Sequence, residues 1–184
     1  MLNTSREVAI TGNSIKALFT GLKLADKPVI FQETLDRFNV TYPNIGSSFP
    51  FDRYLEMVDW LRRQLFPFKS EAAGFEQIGR AVTRGFFEGA AGSVLKMSIK
   101  VMGAQRSVPL FFRVAGGAVP FGRFEVVENK PRYIRAILYN VPGSPEIMRG
   151  MSLEAMEATA SKNPTVTYKK LNPDDTEFVA RWLD

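Results

Sequence analysis

GRFEVVENKPRYIRAILYN, residues 122–140, is where the chain changes period. Within RYIRAILYN, Ile134, Ala136 and Leu138 fall on every second position, and GRFEVVE alternates more weakly before it. Period two places such residues on one face of a strand, and Glu128-Asn129-Lys130-Pro131 between the two runs predicts a turn and therefore a hairpin. Upstream, every periodic segment instead repeats at helical spacing. The fold class turns on this switch.

Working back from it, Ile15, Leu18, Phe19 and Leu22 share one helix face behind the polar start Gly12-Asn13-Ser14, with Gly21 near the end. Pro28 opens a second helix, PVIFQETLDRF, with Phe31, Leu35 and Phe38 on one side. NVTYPNIGSSFP reads as a loop. Tyr54, Val58, Leu61 and Leu65 give FDRYLEMVDWLRRQLF a strong apolar stripe, and Pro67 stops it. Phe75, Ile78, Val82 and Phe86 stripe the next helix, which a break near Gly89–Gly92 divides from another ending at Gly103. A short helix over SVPLFFRVAGG would hold Pro109 in its first turn.

Working forward, Ser144-Pro145-Glu146 opens a helix to about Ser161, with Ile147, Met151 and Ala155 inward. NPTVTYKKL, the turn Asn172-Pro173-Asp174-Asp175 and TEFVARWL make a second hairpin, in which Phe178, Ala180 and Trp182 share a face. About five helices followed by a ββαββ unit predict an α+β fold with a four-stranded antiparallel sheet. No repeat or linker divides the chain, so one domain is expected over residues 1–184, helical to about 118 and sheet-bearing from about 119.

The 184 residues contain no cysteine and no histidine. Disulfides and thiolate chemistry are excluded, as are imidazole acid–base catalysis and the usual zinc and proximal haem ligands. No cofactor and no metal are therefore expected, and the chain reads more as a non-enzyme than an enzyme. Net charge is +5, from 24 basic and 19 acidic residues, and the charges are interspersed. No window of about 20 residues is free of charge and no signal-like start is present, so no membrane span and a cytoplasmic location are predicted.

Several constellations could carry chemistry. Ser93 and Lys96 have the spacing of a serine–lysine acyl enzyme, without its partner motifs, and otherwise read as helix surface. Asp52, Glu56 and Asp59 line one helix side, a row that could hold a divalent cation or be neutralised by Arg53, Arg62 and Arg63. Arg80, Arg84, Lys96, Lys100, Arg106 and Arg113 make mid-chain basic, but the aromatics there sit inside apolar runs as core residues do, so no nucleic-acid partner is expected. The pairs Phe86-Phe87 and Phe111-Phe112, with Trp60, either fill the core or line an apolar pocket between helices and sheet. Each interior glycine costs a helix about 1 kcal/mol relative to alanine. Gly85, Gly89 and Gly92 match no phosphate loop; they predict close approach of another backbone, from this chain, its sheet or a second subunit.

QIGRAVTRGFFEGAAGSVLKM, VPLFFR and GRFEVVENKPRYIRAILYNVPGSPEIMRGMSLEAM together resemble an uncharacterised family of paralogues found mainly in myxobacteria. The resemblance spans nearly the whole chain, and its most specific pieces are Ile78-Gly79-Arg80, Arg84-Gly85-Phe86 and Arg149-Gly150. It implies no catalytic residue. The later half is more distantly similar, through its element order and Gly150, to vinyl-reductase-type ligand-sensing domains, haem nitric-oxide-binding domains and the small TRAPP tethering subunits. That resemblance implies a domain that dimerises and encloses an apolar or haem pocket. Without histidine the chain departs from the haem branch. The combined expectation is a sensory or adaptor module binding a small apolar ligand or a protein partner at the helix–sheet interface. The alternatives are a homodimeric scaffold and a hydrolase using Ser93 and Lys96.

Overall fold

A computed structural model describes residues 8–116, 122–159 and 161–183, with the side chains of 112–116 outside that set. Among the described residues six α-helices precede the main sheet. They are α1 (Gly12–Gly21), α2 (Pro28–Phe38), α3 (Phe51–Leu65), α4 (Glu71–Glu88), α5 (Ala90–Met102) and α6 (Ala104–Gly116). Then follow β3 (Arg123–Lys130), β4 (Tyr133–Tyr139), α7 (Pro145–Ala158), β5 (Lys162–Lys170) and β6 (Thr176–Leu183). The fold is α+β, as the change of period predicts.

Local chemistry sets the helix ends. Pro28 starts α2, and Asn39 ends it in the left-handed region at φ 53°. Ser70 caps α4 by accepting the Ala73 amide at 3.3 Å. Gly89 takes an extended conformation between α4 and α5, and Gly103, at φ 73°, separates α5 from α6. Two expectations move. The Pro109 helix begins at Ala104 rather than Ser107, because Gly103 lets the chain turn earlier and the Ser107 hydroxyl ties back to the Ile99 carbonyl at 3.1 Å. The first hairpin turns at Pro131-Arg132, with Arg132 at φ 60°, so β3 runs on through Lys130. A small sheet was not anticipated: β1 (Ala9–Ile10) pairs antiparallel with β2 (Phe49–Pro50) at the end of the predicted loop.

The main sheet has the order β3-β4-β6-β5 and is antiparallel throughout. Its register aligns Ile134 with Ala180 and Ala180 with Val166 across three strands. Ile134, Ala136, Leu138, Val166, Phe178, Ala180 and Trp182 are buried on one face, packed with α5, α6 and α7 side chains. A second apolar cluster lies among α1, α2, α3 and the first half of α4.

Helix α4 joins the two clusters. A Cβ on Gly21 would overlap the Ala81 carbonyl and one on Gly85 the Ala17 carbonyl, so α1 and α4 touch backbone to backbone. A Cβ on Gly79 would overlap the Ile147 carbonyl and one on Gly150 the Glu76 carbonyl, which makes the same seam between α4 and α7. Ion pairs border the second seam. Arg80 reaches Glu76 at 3.3 Å and Glu157 at 2.9 Å, Arg84 reaches Glu154 at 3.4 Å, and Arg149 reaches Glu76 at 2.6 Å. Arg149 also donates to the Val166 carbonyl at 2.9 Å, tying α7 to the sheet.

Candidate functional site

Where the two clusters meet, a partly open cavity of about 350 Å³ remains. Its helical wall comes from Ser14 and Ala17 of α1, Phe51, Tyr54 and Leu55 of α3, and Val82 and Phe86 of α4. Its other wall comes from Leu138 of β4, the 141–144 connection, Met148 and Met151 of α7, and Thr176 and Phe178 of β6. Phe111 of α6 completes the lining. The size lies at the lower end of small-molecule sites. No Asp, Glu, Lys or Arg lines the cavity among the described residues.

Of the aromatic residues singled out in the sequence, Phe86 and Phe111 line this cavity, with ring centroids 6.4 Å apart and edge to face. Phe87 does not; it is buried in the sheet-side cluster, with the Lys96 ammonium 5.9 Å from its ring centroid. Trp60 lies elsewhere, against Phe38 at 6.2 Å in the helical cluster. The Phe112 side chain lies outside the described residues. Gly85 is buried against α1, Gly92 is buried against the Phe86 carbonyl at the α4–α5 corner, and Gly89 is exposed.

Sequence reasoning assigned Tyr54 to the apolar stripe of α3 and gave Thr176 no role. Both line the cavity, at 8% and 3% exposure, and neither side chain has a hydrogen-bond partner among the described residues. Burial pushes the Tyr54 phenol well above its ordinary value, so it stays protonated and able to donate. The periodicity that found the stripe carries no sign that one of its members holds an unused hydroxyl.

The other candidate chemistry lies away from this cavity. Ser93 and Lys96 are exposed on α5, where the serine hydroxyl donates to the Ala90 carbonyl at 2.9 Å. Asp52 accepts the Arg53 amide at 2.7 Å, and Glu56 pairs with Arg53 at 3.3 Å. Asp59 pairs with Arg62 at 2.7 Å and Arg63 at 2.6 Å. Glu56 and Asp59 are thus neutralised by arginines of their own helix, and Asp52 is held by a backbone amide. Asp174 and Asp175 shape the β5–β6 turn, where the Asn172 side-chain oxygen accepts both of their amides at 2.9 and 2.8 Å. No helix among the described residues is long and apolar enough to cross a membrane.

Residues 10–183 match the family described as Protein of unknown function (DUF2378). The chain belongs to that family. No curated protein matches the sequence. Solved structures match it in fold. An H-NOX protein from S. oneidensis in the Fe(II)NO state is 11% identical with a TM-score of 0.65, covering 95% of this chain and 100% of that one. Unliganded Fe(II) H-NOX from K. algicida is 13% identical with a TM-score of 0.59, covering 93% and 96%. An oxygen-binding H-NOX domain related to soluble guanylate cyclases, in its oxygen complex, is 10% identical with a TM-score of 0.66, covering 95% and 96%. At these identities the likeness establishes a shared fold, which the resemblance to haem nitric-oxide-binding domains had implied.

A haem group, which this fold implies, does not fit the donor set present. Protein ligands to haem iron are His, Cys, Tyr, or Met alongside His. The chain has neither His nor Cys. Tyr54 is the phenol on the cavity wall, and its burial opposes the phenolate that iron would require. Met148 and Met151 offer thioethers without an imidazole partner.

Proposed function

We propose that this chain is a non-enzymatic, cytoplasmic ligand-sensing module that takes a small apolar molecule into the cavity between its helices and its sheet. The observation that carries this reading is the cavity itself: about 350 Å³, walled by both parts of the chain and lined without charge among the described residues. The shared fold with H-NOX proteins, some named for bound NO or oxygen, supports a sensory role. The donor set argues for a ligand other than haem.

Native mass spectrometry of protein purified from its source organism tests this. A co-purifying small molecule that is lost from Val141→Trp, a substitution that fills the cavity from its rim, is the expected result. A wild-type chain that carries nothing, and takes up no apolar fluorophore, would remove the reading.

A second reading is favoured by one surface. Val94, Met97 and Val101, at 66%, 74% and 89% exposure, form an apolar ridge along α5, beside the exposed Gly89. This ridge would carry a protein partner or a second copy of the chain. Light scattering tests the homodimer: a dimer that Met97→Glu dissociates supports it, and a strict monomer at high concentration rejects it.

A further inference from the structure

Two features of the cavity constrain what enters it beyond size. The first is the want of charge on its walls. An ionised carboxylate or ammonium brought there would lose its hydration and find no countercharge among the described residues, a penalty that excludes ions from apolar sites. The second is the pair of unused hydroxyls, one on each wall. Tyr54 on α3 and Thr176 on β6 are more than nine-tenths buried as residues, neither side chain bonds to the protein among the described residues, and neither hydroxyl oxygen is sealed from accessible space. A hydroxyl on a cavity wall that is open and unbonded to the protein is available to whatever occupies the cavity. Of the other polar side chains in the lining, Thr11 and Ser14 bond each other at 3.2 Å, Ser144 bonds Glu146, and Asn13 is exposed.

Tyr54 is placed to donate. Its ring stacks on Phe51, which also lines the cavity, with centroids 6.1 Å apart and planes 24° from parallel. No acid or base that could remove its proton lines the cavity among the described residues.

We propose that the ligand of this cavity is an uncharged, mainly apolar molecule bearing an acceptor oxygen, such as an ester or ketone carbonyl, that receives a hydrogen bond from the Tyr54 hydroxyl. This rests on the reading of the cavity as a ligand site. It narrows that reading from apolar molecules in general to neutral carbonyl compounds, and it sets aside free fatty acids as anions.

Competition against a neutral apolar reporter, N-phenylnaphthylamine, on the full chain at neutral pH separates the two levels. Methyl hexanoate, heptanoate and heptane are close in size and differ in head group. Displacement of the reporter by the ester should be about fivefold stronger from wild type than from Tyr54→Phe, the worth of one neutral hydrogen bond. Heptanoate should be at least about tenfold weaker than the ester, since its charge must be desolvated without a partner. The reporter and heptane, which accept no hydrogen bond from a phenol, should bind wild type and Tyr54→Phe alike. Equal binding of heptanoate and ester, or an ester that binds wild type and Tyr54→Phe equally well, overturns the carbonyl proposal while leaving an apolar site standing. No binding of the reporter or any competitor to wild type overturns the ligand site itself.

Discussion

Asp59 sits between two arginines of its own helix, paired with Arg62 at 2.7 Å and Arg63 at 2.6 Å. Burial of the carboxyl opposes its ionisation, but the hydrogen bonds and charges of the two arginines outweigh that and hold it below the usual carboxylate range. The sign follows. The folded state binds the Asp59 proton less tightly than the unfolded chain, so the ion pair stabilises the fold above about pH 4 and the contribution is lost as pH falls below that. Asp59→Asn should therefore be less stable than wild type near pH 7, by about 1 kcal/mol given that the pair is partly open to water. The gap should close toward about pH 2. Urea unfolding at a series of pH values checks this, and a gap that does not change with pH would reject the ion pair as its source. The same residue shows what sequence spacing conveys. Asp52, Glu56 and Asp59 do share a helix side, but spacing on a helix says nothing of which cation comes within reach. The three nearby arginines neutralise Glu56 and Asp59, and Asp52 is left with a backbone amide.

Helix α4 is shaped by glycines on two sides, and here sequence and structure inform each other closely. Gly79, Gly85 and Gly150 stand in the three motifs by which the chain resembles its family, and each lies where a neighbouring carbonyl occupies the place of a Cβ. The flanking arginines of those motifs, Arg80, Arg84 and Arg149, form the ion pairs that border the α4–α7 seam. From sequence, close packing was readable because nothing else explains interior glycines that cost helix stability. The partner was not, because α1 and α7 meet α4 over long separations that no local pattern encodes. Arg80 and Arg84 show in the sequence only as part of a basic mid-chain stretch, since the glutamates that meet them lie mostly on α7. Gly79→Ala should cost about 1–3 kcal/mol, as overpacking at a rigid contact does, because the Ile147 carbonyl has to move and α7 with it. Gly89→Ala should stay within about 1 kcal/mol, since its nearest neighbour, the Phe86 carbonyl, would be 3.4 Å from the new methyl. Chemical denaturation of the two variants side by side checks the contrast. A loss at Gly79 no larger than that at Gly89 would reject the α4–α7 seam as the source of the cost.

Across the whole molecule, the cavity exists because two apolar clusters share α4 and α7 without closing fully on each other. The class and strand pairing of the sheet half could be read ahead of the structure, since period two and proline-marked turns are local signals. The cavity could be read only in part. Consecutive residues of a helix point about 100° apart, so a pair such as Phe86-Phe87 sends one ring to the cavity and the other to the sheet-side core. Trp60 was chosen for its ring, yet its position on α3 turns it to Phe38. The β1–β2 pairing was missed because two-residue strands far apart in sequence have no periodicity. A ligand held between the two walls should act on both. With the chain saturated by methyl hexanoate, amide exchange should slow along α1 and α3 on the helical side and around Leu138–Met148 and Thr176–Phe178 on the sheet side, since each contributes lining residues. At about 100 times the dissociation constant the ligand adds about 2.7 kcal/mol to global stability, so exchange through full unfolding should slow about 100-fold in both halves together. Protection confined to the helices, with the sheet side unchanged, would place the ligand outside the cavity and leave the two clusters uncoupled by it.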